Sequence, residues 1–230
     1  MNSTAVEFGL SRLAGSTVTT MRGTVTLSRL YGAGGIRVAE AVAEALGWRT
    51  VDRDLVEEAA GRLGVDPRLA VALDEKVPAL IEEAGLALAA AERPPVPVSA
   101  LDDRALAEAV RAVIVSLADA GGYVILGRGG QAALREHPDT VHIQLSGDLE
   151  DRAARVAESH GVSQTEARAR CRRVDEERAA YVRRFYGADI RDPLLYDAIL
   201  NTSRLGVDGA ARVLLEVTRD RLGVPAGEEE

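Results

Sequence analysis

A chain of 230 residues, 47% of them hydrophobic, can bury a substantial core and is expected to form a single domain. The net charge of −8 argues against general affinity for nucleic acid or acidic membranes. The only cysteine, Cys171, excludes an intrachain disulfide and a cysteine-rich zinc site. His137, His142 and His160 lack the spacing of metal ligands, so no metal site is predicted from them.

The amino-terminal segment is interpreted as a loose lead-in over residues 1–22. It has no basic segment followed by an apolar core, and no stretch of the chain approaches the ~18 apolar residues of a membrane span. We therefore expect a soluble cytoplasmic protein without a membrane partner.

Residues 24–46 predict a strand, a glycine loop and a helix. Residues 24–28 alternate polar and apolar side chains as a strand does. Apolar residues then recur at helical spacing, at Ala39, Val42, Ala43 and Leu46.

The glycine loop between them is a candidate phosphate site. Glycines can turn their amides toward a ligand at a helix start, where free N–H groups and the helix dipole favour an anion. The alternative is a tight turn that needs glycine only for positive φ. The position after the first strand of an α/β chain favours phosphate. The residues assigned to phosphate and nucleotide binding are Ser28, Gly32, Ala33, Gly34, Gly35 and Ile36.

The loop departs from the standard pattern G-x-x-x-x-G-K-[ST]. With Gly34 as the last glycine, the lysine position is Gly35 and the hydroxyl position is Ile36. Lys76 is the only lysine among the chain's 28 lysines and arginines. The local cations are Arg29 and Arg37, and arginine can grip phosphate oxygens in a bidentate way.

A second strand is predicted at residues 48–51, after Gly47 ends the helix. Asp52, Arg53 and Asp54 follow it. These carboxylates either cap the next helix or face an acceptor substrate at the carboxyl edge of a parallel sheet.

A helical region is predicted over residues 53–120, interrupted by a proline-rich connector at residues 92–99. A buried strand at residues 123–126 then delivers a second glycine–arginine loop, residues 127–130. Its arginine, Arg128, is either solvated or a ligand-binding residue. We favour ligand binding, because two such loops at one sheet edge would converge on one pocket.

A fourth strand is predicted at residues 141–145, followed by helices that carry many arginines. Asp148 and Ser163 are the predicted caps, the latter in a capping box with Glu166. Eight arginines lie between residues 168 and 191. Most are interpreted as a solvated helix face, but a subset could close over phosphates. Because these arginines would otherwise face one another unneutralised, residues 149–191 are predicted to move as a lid.

A fifth strand is predicted at residues 196–202, and Asp208 is predicted to start a final helix that turns Ala210, Val213, Leu214 and Val217 inward. An acidic tail follows at residues 225–230. Alternating strands and helices predict an α/β fold with a parallel sheet and helices on both faces.

These segments resemble the cytidylate kinase-like family, relatives of the nucleoside monophosphate kinases with a P-loop fold. The resemblance covers most of residues 24–220. Its segments are Ser28 to Gly35, Asp52 to Leu55, Leu126 to Gly129, Asp151 with Arg152, Asp175 with Arg178, Tyr196 with Asp197, and Asn201 to Ser203.

The resemblance implies a P-loop NTPase fold with a five-stranded parallel sheet, in one kinase-like domain over residues 23–224, with an acceptor-side helical insertion and an arginine-rich lid. The implied activity is ATP-dependent transfer to a nucleoside monophosphate resembling CMP, with magnesium as cofactor. Nucleotide and a small-molecule acceptor are the expected partners. The alternative is a non-catalytic nucleotide-binding protein.

The resemblance also implies roles for individual residues. It implies that Arg152, with Arg172 or Arg173, faces the transferring phosphates, and the local cations of the loop complete the set of catalytic candidates, Arg29, Arg37, Arg152 and Arg173. It implies acceptor binding by Asp52, Arg128, Asp175 and Arg178, and Asp54 joins them from its position after the second strand. Asp175 and Arg178 lie at i and i+3, so an intrahelical ion pair competes with ligand binding.

Overall fold

The computed structural model describes residues 23–52 and 103–223. The predicted lead-in, the helices and connector between residues 53 and 102, the candidate Asp54 and the acidic tail lie outside the described residues.

The central element is a five-stranded parallel sheet in the order β2-β3-β1-β4-β5. The strands are β1 Thr24–Arg29, β2 Arg49–Val51, β3 Tyr123–Leu126, β4 Thr140–Ser146 and β5 Ala198–Asn201. All five were predicted from the sequence, and the predicted fold class is confirmed. Because the strands are parallel, the loops after β1 and β3 emerge side by side at one edge.

The helices are α1 Gly35–Leu46, α2 Asp103–Ala120, α3 Gly130–Ala133, α4 Leu149–His160, α5 Gln164–Tyr186 and α6 Thr202–Leu222, with a 3₁₀ turn at Pro193–Leu195. Helices α1 and α6 cover one face of the sheet, and α2 covers the other. Helices α4 and α5 pack on each other through Ala153, Val156, Ala167 and Cys171. None of the helices in the described ranges is long and apolar enough to cross a membrane.

Burial on both faces explains why β1 is inaccessible from Thr24 to Ser28. Val25 and Leu27 pack under α1 and α6, while Thr24, Thr26 and Ser28 are also at most 4% exposed. The alternation in β1 therefore separates two buried faces, one apolar and one hydroxyl-bearing. Ser28, at the end of the strand, lies on the hydroxyl-bearing face.

The predicted helix ends are mostly confirmed. Gly47 ends α1 with φ 65°, and the Ser163 hydroxyl accepts a hydrogen bond from the Glu166 amide at 3.2 Å. Asp148 lies at the N-cap of α4, but its side chain makes no capping hydrogen bond.

The last helix has a first turn that was not predicted. Helix α6 begins at Thr202, where the Asn201 side chain accepts from the amides of Ser203 and Arg204 at 2.9 and 3.3 Å. A kink at Gly206, with φ 72° and ψ 169°, separates this turn from the long part of the helix, which begins beside the predicted start at Asp208. Val213, predicted to face inward, is 38% exposed.

Candidate functional site

The glycine loop connects β1 to α1 through two left-handed residues, Gly32 with φ 79° and Gly34 with φ 80°. The Ala33 amide closes the turn by donating to Leu30 O at 3.1 Å. Within the described ranges, no protein acceptor is found for the amides of Gly34, Gly35 and Ile36 at the start of α1. The positive end of the helix dipole therefore coincides with backbone N–H groups that can donate to a ligand, which is the arrangement of an anion site.

Gly32 and Gly34 are also consistent with the alternative that the loop is only a tight turn, because close packing leaves no room for a side chain at either position. A Cβ on Gly32 would lie 2.5 Å from Arg152 O, and one on Gly34 would lie 2.7 Å from a methyl of Val207. A Gly34→Val substitution would therefore strain the backbone and clash with α6. Loss of binding in that variant would not demonstrate a phosphate site.

A cavity of about 560 Å³ opens beside the loop, and we call it the donor cavity because the loop is predicted to bind the phosphates of a donor nucleotide. Its walls are the loop, residues of α4 and the side chain of Val207. Its lining includes Arg29, Tyr31, Gly32, Arg155, His160 and Arg178.

A second cavity, of about 450 Å³, lies between the two sheet-edge loops and α5, and we call it the acceptor cavity because it is lined by Arg128 and Arg178, which are predicted to bind an acceptor. Arginines dominate its charged lining, with Glu177 as its acidic member. These arginines are Arg29, Arg128, Arg170, Arg173 and Arg178. Ser28 and Gln131 supply uncharged polar groups. Ser28, predicted to bind donor phosphate, thus lines the acceptor cavity.

Arg128 is held in an unusual conformation in this cavity. It has φ 53°, in the left-handed region that residues other than glycine seldom occupy. Its guanidinium carbon lies 5.1 Å from the centre of the Tyr181 ring, and its carbonyl accepts from the Tyr186 hydroxyl at 3.0 Å. Burial raises the pKa of Tyr186, which keeps that hydroxyl a donor.

Three residues line both cavities, namely Arg29, Tyr31 and Arg178. The Arg29 side chain reaches from the glycine loop toward the second loop. A Cβ on Gly35 would lie 3.0 Å from Arg29 Cγ, and a Cβ on Gly127 would meet the end of the Arg29 guanidinium. Arg29 therefore lies between the two cavities.

The backbone of the glycine loop is bound by side chains of α4 and α5. Asp175 accepts from the Tyr31 amide at 2.7 Å, and Arg152 donates to Tyr31 O at 2.9 Å. Arg155 donates to Gly32 O at 2.9 Å, and Arg178 donates to Arg29 O at 2.7 Å. The Asp175 carboxylate forms an ion pair with Arg152 at 2.8 Å.

These contacts change the interpretation of the predicted lid. Several of its arginines have carboxylate partners, as in Arg168–Glu150 at 2.6 Å and Arg191–Asp189 at 3.1 Å. The unneutralised repulsion from which motion was predicted is therefore contradicted for these residues. Motion of residues 149–191 itself stays a prediction.

The remaining predicted site residues are more peripheral. Arg37 pairs with Asp208 at 3.3 Å and its side chain is 70% exposed, although it borders the donor cavity. Arg173 pairs with Glu177 at 2.7 Å at the rim of the acceptor cavity. Asp52 directly follows β2 and is partly buried.

The described residues do not fit a protein-held magnesium ion at the loop. The hydroxyl position carries Ile36, 61% exposed. No group of three or more acidic, histidine or cysteine ligands occurs within residues 23–52 and 103–223.

Three residues of the site were not assigned from the sequence. For Arg155, the usable signal was its position three residues after Arg152 in a predicted helix. Tyr31 and Arg170 carried no pattern of their own, although the Arg170 guanidinium carbon lies 5.6 Å from the Tyr31 ring centre.

Comparison with known proteins gives sequence relatives for just under half of this chain. The cytidylate kinase of Pyrobaculum aerophilum is 37% identical over 112 residues, covering 47% of this chain and 59% of that one. The cytidylate kinase of Methanopyrus kandleri is 35% identical over 108 residues, covering 42% and 54%. The chain thus spans between about half and three-fifths of the length of these relatives.

A solved structure of an uncharacterized protein from Eubacterium ventriosum has a TM-score of 0.63 at 19% identity and covers 85% of this chain and 97% of that one, a similarity in fold. The model of the cytidylate kinase-like family matches residues 24–204, which is well over half of the sequence. The chain belongs to the cytidylate kinase-like family.

Proposed function

We propose that this protein is a phosphotransferase that moves the γ-phosphoryl group of ATP to a nucleoside monophosphate resembling CMP. The observation that carries the proposal is the meeting of two cavities at Arg29, Tyr31 and Arg178. One cavity is built on an anion-binding loop, and the other is rich in arginine.

The donor cavity suits the phosphate chain of ATP. Its open amides at residues 34–36 lie at the amino end of a 12-residue helix, where backbone donors and the helix dipole act together. These amides can bind phosphate without a lysine. They supply no cation for the transferring group, so that charge has to come from other side chains.

The acceptor cavity suits a small anionic molecule with a planar ring. Its volume of about 450 Å³ is within the usual range of small-molecule sites, roughly 300–1,000 Å³. Arg128 and Arg170 offer charge for a monophosphate, and Tyr181 offers an aromatic face. Ser28 and Gln131 can hydrogen-bond a base or a ribose.

In the proposed reaction, an acceptor phosphate oxygen attacks the γ-phosphorus. The bond from that phosphorus to the β,γ-bridging oxygen breaks, and ADP leaves with the electron pair while the acceptor becomes a diphosphate. Arg29 and Arg178, between the cavities, would neutralise the charge on the transferring group. Such transfer depends mainly on positioning and electrostatic stabilisation.

The wild-type protein should be tested with ATP, magnesium and a panel of CMP, dCMP, UMP, AMP and GMP. We expect transfer with a preference for CMP. Arg29→Gln should lower kcat by roughly 10² to 10³, by analogy with loss of one preorganised donor. Arg104→Gln is the matched control, because that side chain is 86% exposed on α2.

Equal turnover in Arg29→Gln and the control would contradict the role of Arg29. Transfer without a preference for CMP would contradict the proposed acceptor and leave only the proposed phosphoryl transfer.

A second candidate is a nucleotide-binding protein without turnover. It is favoured by the absence of lysine and hydroxyl at positions 35 and 36, and by the use of Arg152 and Asp175 in binding the loop. ATP binding by calorimetry with no transfer to any of the five acceptors would support it.

The domain organisation also stays a proposal. It comprises one domain over residues 23–224, with the acceptor-side region at 53–120 and the lid at 149–191.

A further inference from the structure

Tyr31 is held on both sides by one buried ion pair. Its amide donates to Asp175 Oδ1 at 2.7 Å, and its carbonyl accepts from Arg152 Nη1 at 2.9 Å. The same Arg152 nitrogen donates to Asp175 Oδ2 at 2.8 Å. The amide belongs to the Leu30–Tyr31 peptide and the carbonyl to the Tyr31–Gly32 peptide, so the pair fixes two successive peptide planes.

The pair is itself rigidly placed. The side chains of Arg152 and Asp175 are only 7% and 17% exposed. Arg152 Nε donates to Gly147 O at 2.9 Å, which anchors the guanidinium to the loop after β4. The attraction within a largely buried ion pair offsets the cost of desolvation only where the geometry and the remaining hydrogen bonds are good, and this pair meets both conditions.

The contacts argue against two other roles for Asp175. An intrahelical ion pair with Arg178 does not form, because Asp175 bonds to Arg152 and Tyr31. Reading the base of an acceptor would require Asp175 to face the acceptor cavity, but Asp175 is not among the residues that line it, and its two oxygens are directed to Tyr31 and Arg152.

A loop with two left-handed glycines has many accessible conformations, so ordering it on nucleotide binding would cost affinity. We propose that Asp175 and Arg152 are positioning residues that hold the glycine loop in its phosphate-accepting conformation and thereby set nucleotide affinity. Helices α4 and α5 thus act as a support for the loop. This inference rests on the proposed function only in taking the loop as the site of the nucleotide phosphates.

The test compares Asp175→Ala with Glu150→Ala. Each variant removes the carboxylate of an ion pair that links α4 to α5. The Glu150–Arg168 pair, at 2.6 Å, is surface-exposed and makes no contact with the loop, so it is the control. Hydrogen exchange is measured on the peptide covering residues 29–34, and ATP binding by calorimetry. Asp175→Asn, which keeps the shape and one acceptor oxygen, replaces Asp175→Ala if the latter does not fold.

We expect exchange of the loop peptide to rise at least tenfold in Asp175→Ala and not in Glu150→Ala. The Kd for ATP should rise at least tenfold while the KM for the acceptor stays within twofold. Asp175→Asn should show a smaller change in the same direction, since the carboxylate charge is lost but an oxygen remains.

Unchanged loop exchange in Asp175→Ala would overturn the proposal, and so would a change in acceptor KM without a change in ATP affinity. The second result would restore the acceptor-reading role. If the wild-type protein binds no ATP, the proposed function fails, while the exchange comparison still decides whether the pair orders the loop.

Discussion

Arg29 occupies the space into which a side chain at position 35 would extend, and this makes its role testable. A Cβ on Gly35 would lie 3.0 Å from Arg29 Cγ and 3.3 Å from Arg29 Cδ. Both separations are shorter than ordinary van der Waals contact. A lysine placed at position 35, where the standard phosphate loop has one, would therefore displace Arg29 by a few tenths of an ångström at its stem and further at its guanidinium.

The size of the expected effects follows from the position of Arg29 between the two cavities. Arg29→Ala removes a preorganised cation, and we expect a loss of roughly 10² to 10³ in kcat, or about 2.7–4 kcal/mol. Gly35→Lys should cost about tenfold, because it adds an ammonium group but misplaces the arginine. Arg29→Ala combined with Gly35→Lys should recover at least tenfold over Arg29→Ala alone. Because Gly35→Lys by itself costs about tenfold, this recovery corresponds to a coupling of at least about 2.7 kcal/mol.

The assay is steady-state transfer from ATP to the preferred acceptor, with all four members of the cycle measured under one condition. Arg29→Ala combined with Gly35→Ala is the control, because it relieves the crowding without supplying a cation. Additive effects of the two substitutions would refute the idea that Arg29 stands in place of the lysine. Equal recovery by the alanine control would show that crowding, and not charge, limits the reaction.

Three further outcomes are expected. Gly32→Ala should lower the free energy of unfolding by at least about 1 kcal/mol more than Gly161→Ala in urea titrations, since both glycines have positive φ but only a Cβ at position 32 meets a backbone oxygen of α4, at 2.5 Å; equal losses would contradict this packing. Burial lowers the pKa of His142, so its contribution to stability is complete above about pH 6.5 and is lost as pH falls through the folded-state pKa. If the free energy of unfolding of a His142→Gln variant has the same slope against pH between 7.5 and 5.5 as that of the wild type, this contribution of His142 is disproved. Tyr181→Leu should raise the acceptor KM about two- to fivefold and Tyr181→Phe should not, because the aromatic face beside Arg128 contributes about 0.5–1 kcal/mol; equal KM values in both variants would exclude that contribution.

The strands and most helix ends could be predicted because their sequence signals are local. The apolar pattern of β3, the glycine at the end of α1 and the serine cap of α5 each depend on residues within one or two turns. The first turn of α6, before the kink at Gly206, was missed because Asn201 was assigned to the preceding strand, so its capping role was not considered.

The partners of the site could not be predicted, because they lie far apart in the sequence. Asp175 and Tyr31 are separated by 144 residues, and Arg178 and Arg29 by 149. Spacing correctly suggested that Asp175 and Arg178 share one face of a helix. Spacing carried no information about whether that face meets a ligand or the glycine loop, and in the structure it meets the loop.

The use of arginine throughout the site is consistent with two simultaneous requirements. Arg178 donates through Nη1 to Arg29 O at 2.7 Å, yet its guanidinium also borders both cavities and lies 5.6 Å from the Tyr31 ring centre. A guanidinium has five donors in a fixed plane, so one edge can bind the loop backbone while another faces phosphate. A lysine at the same position offers a single compact charge. The loop support and the charge between the cavities can therefore come from the same side chain, which couples the conformation of the glycine loop to the position of that charge.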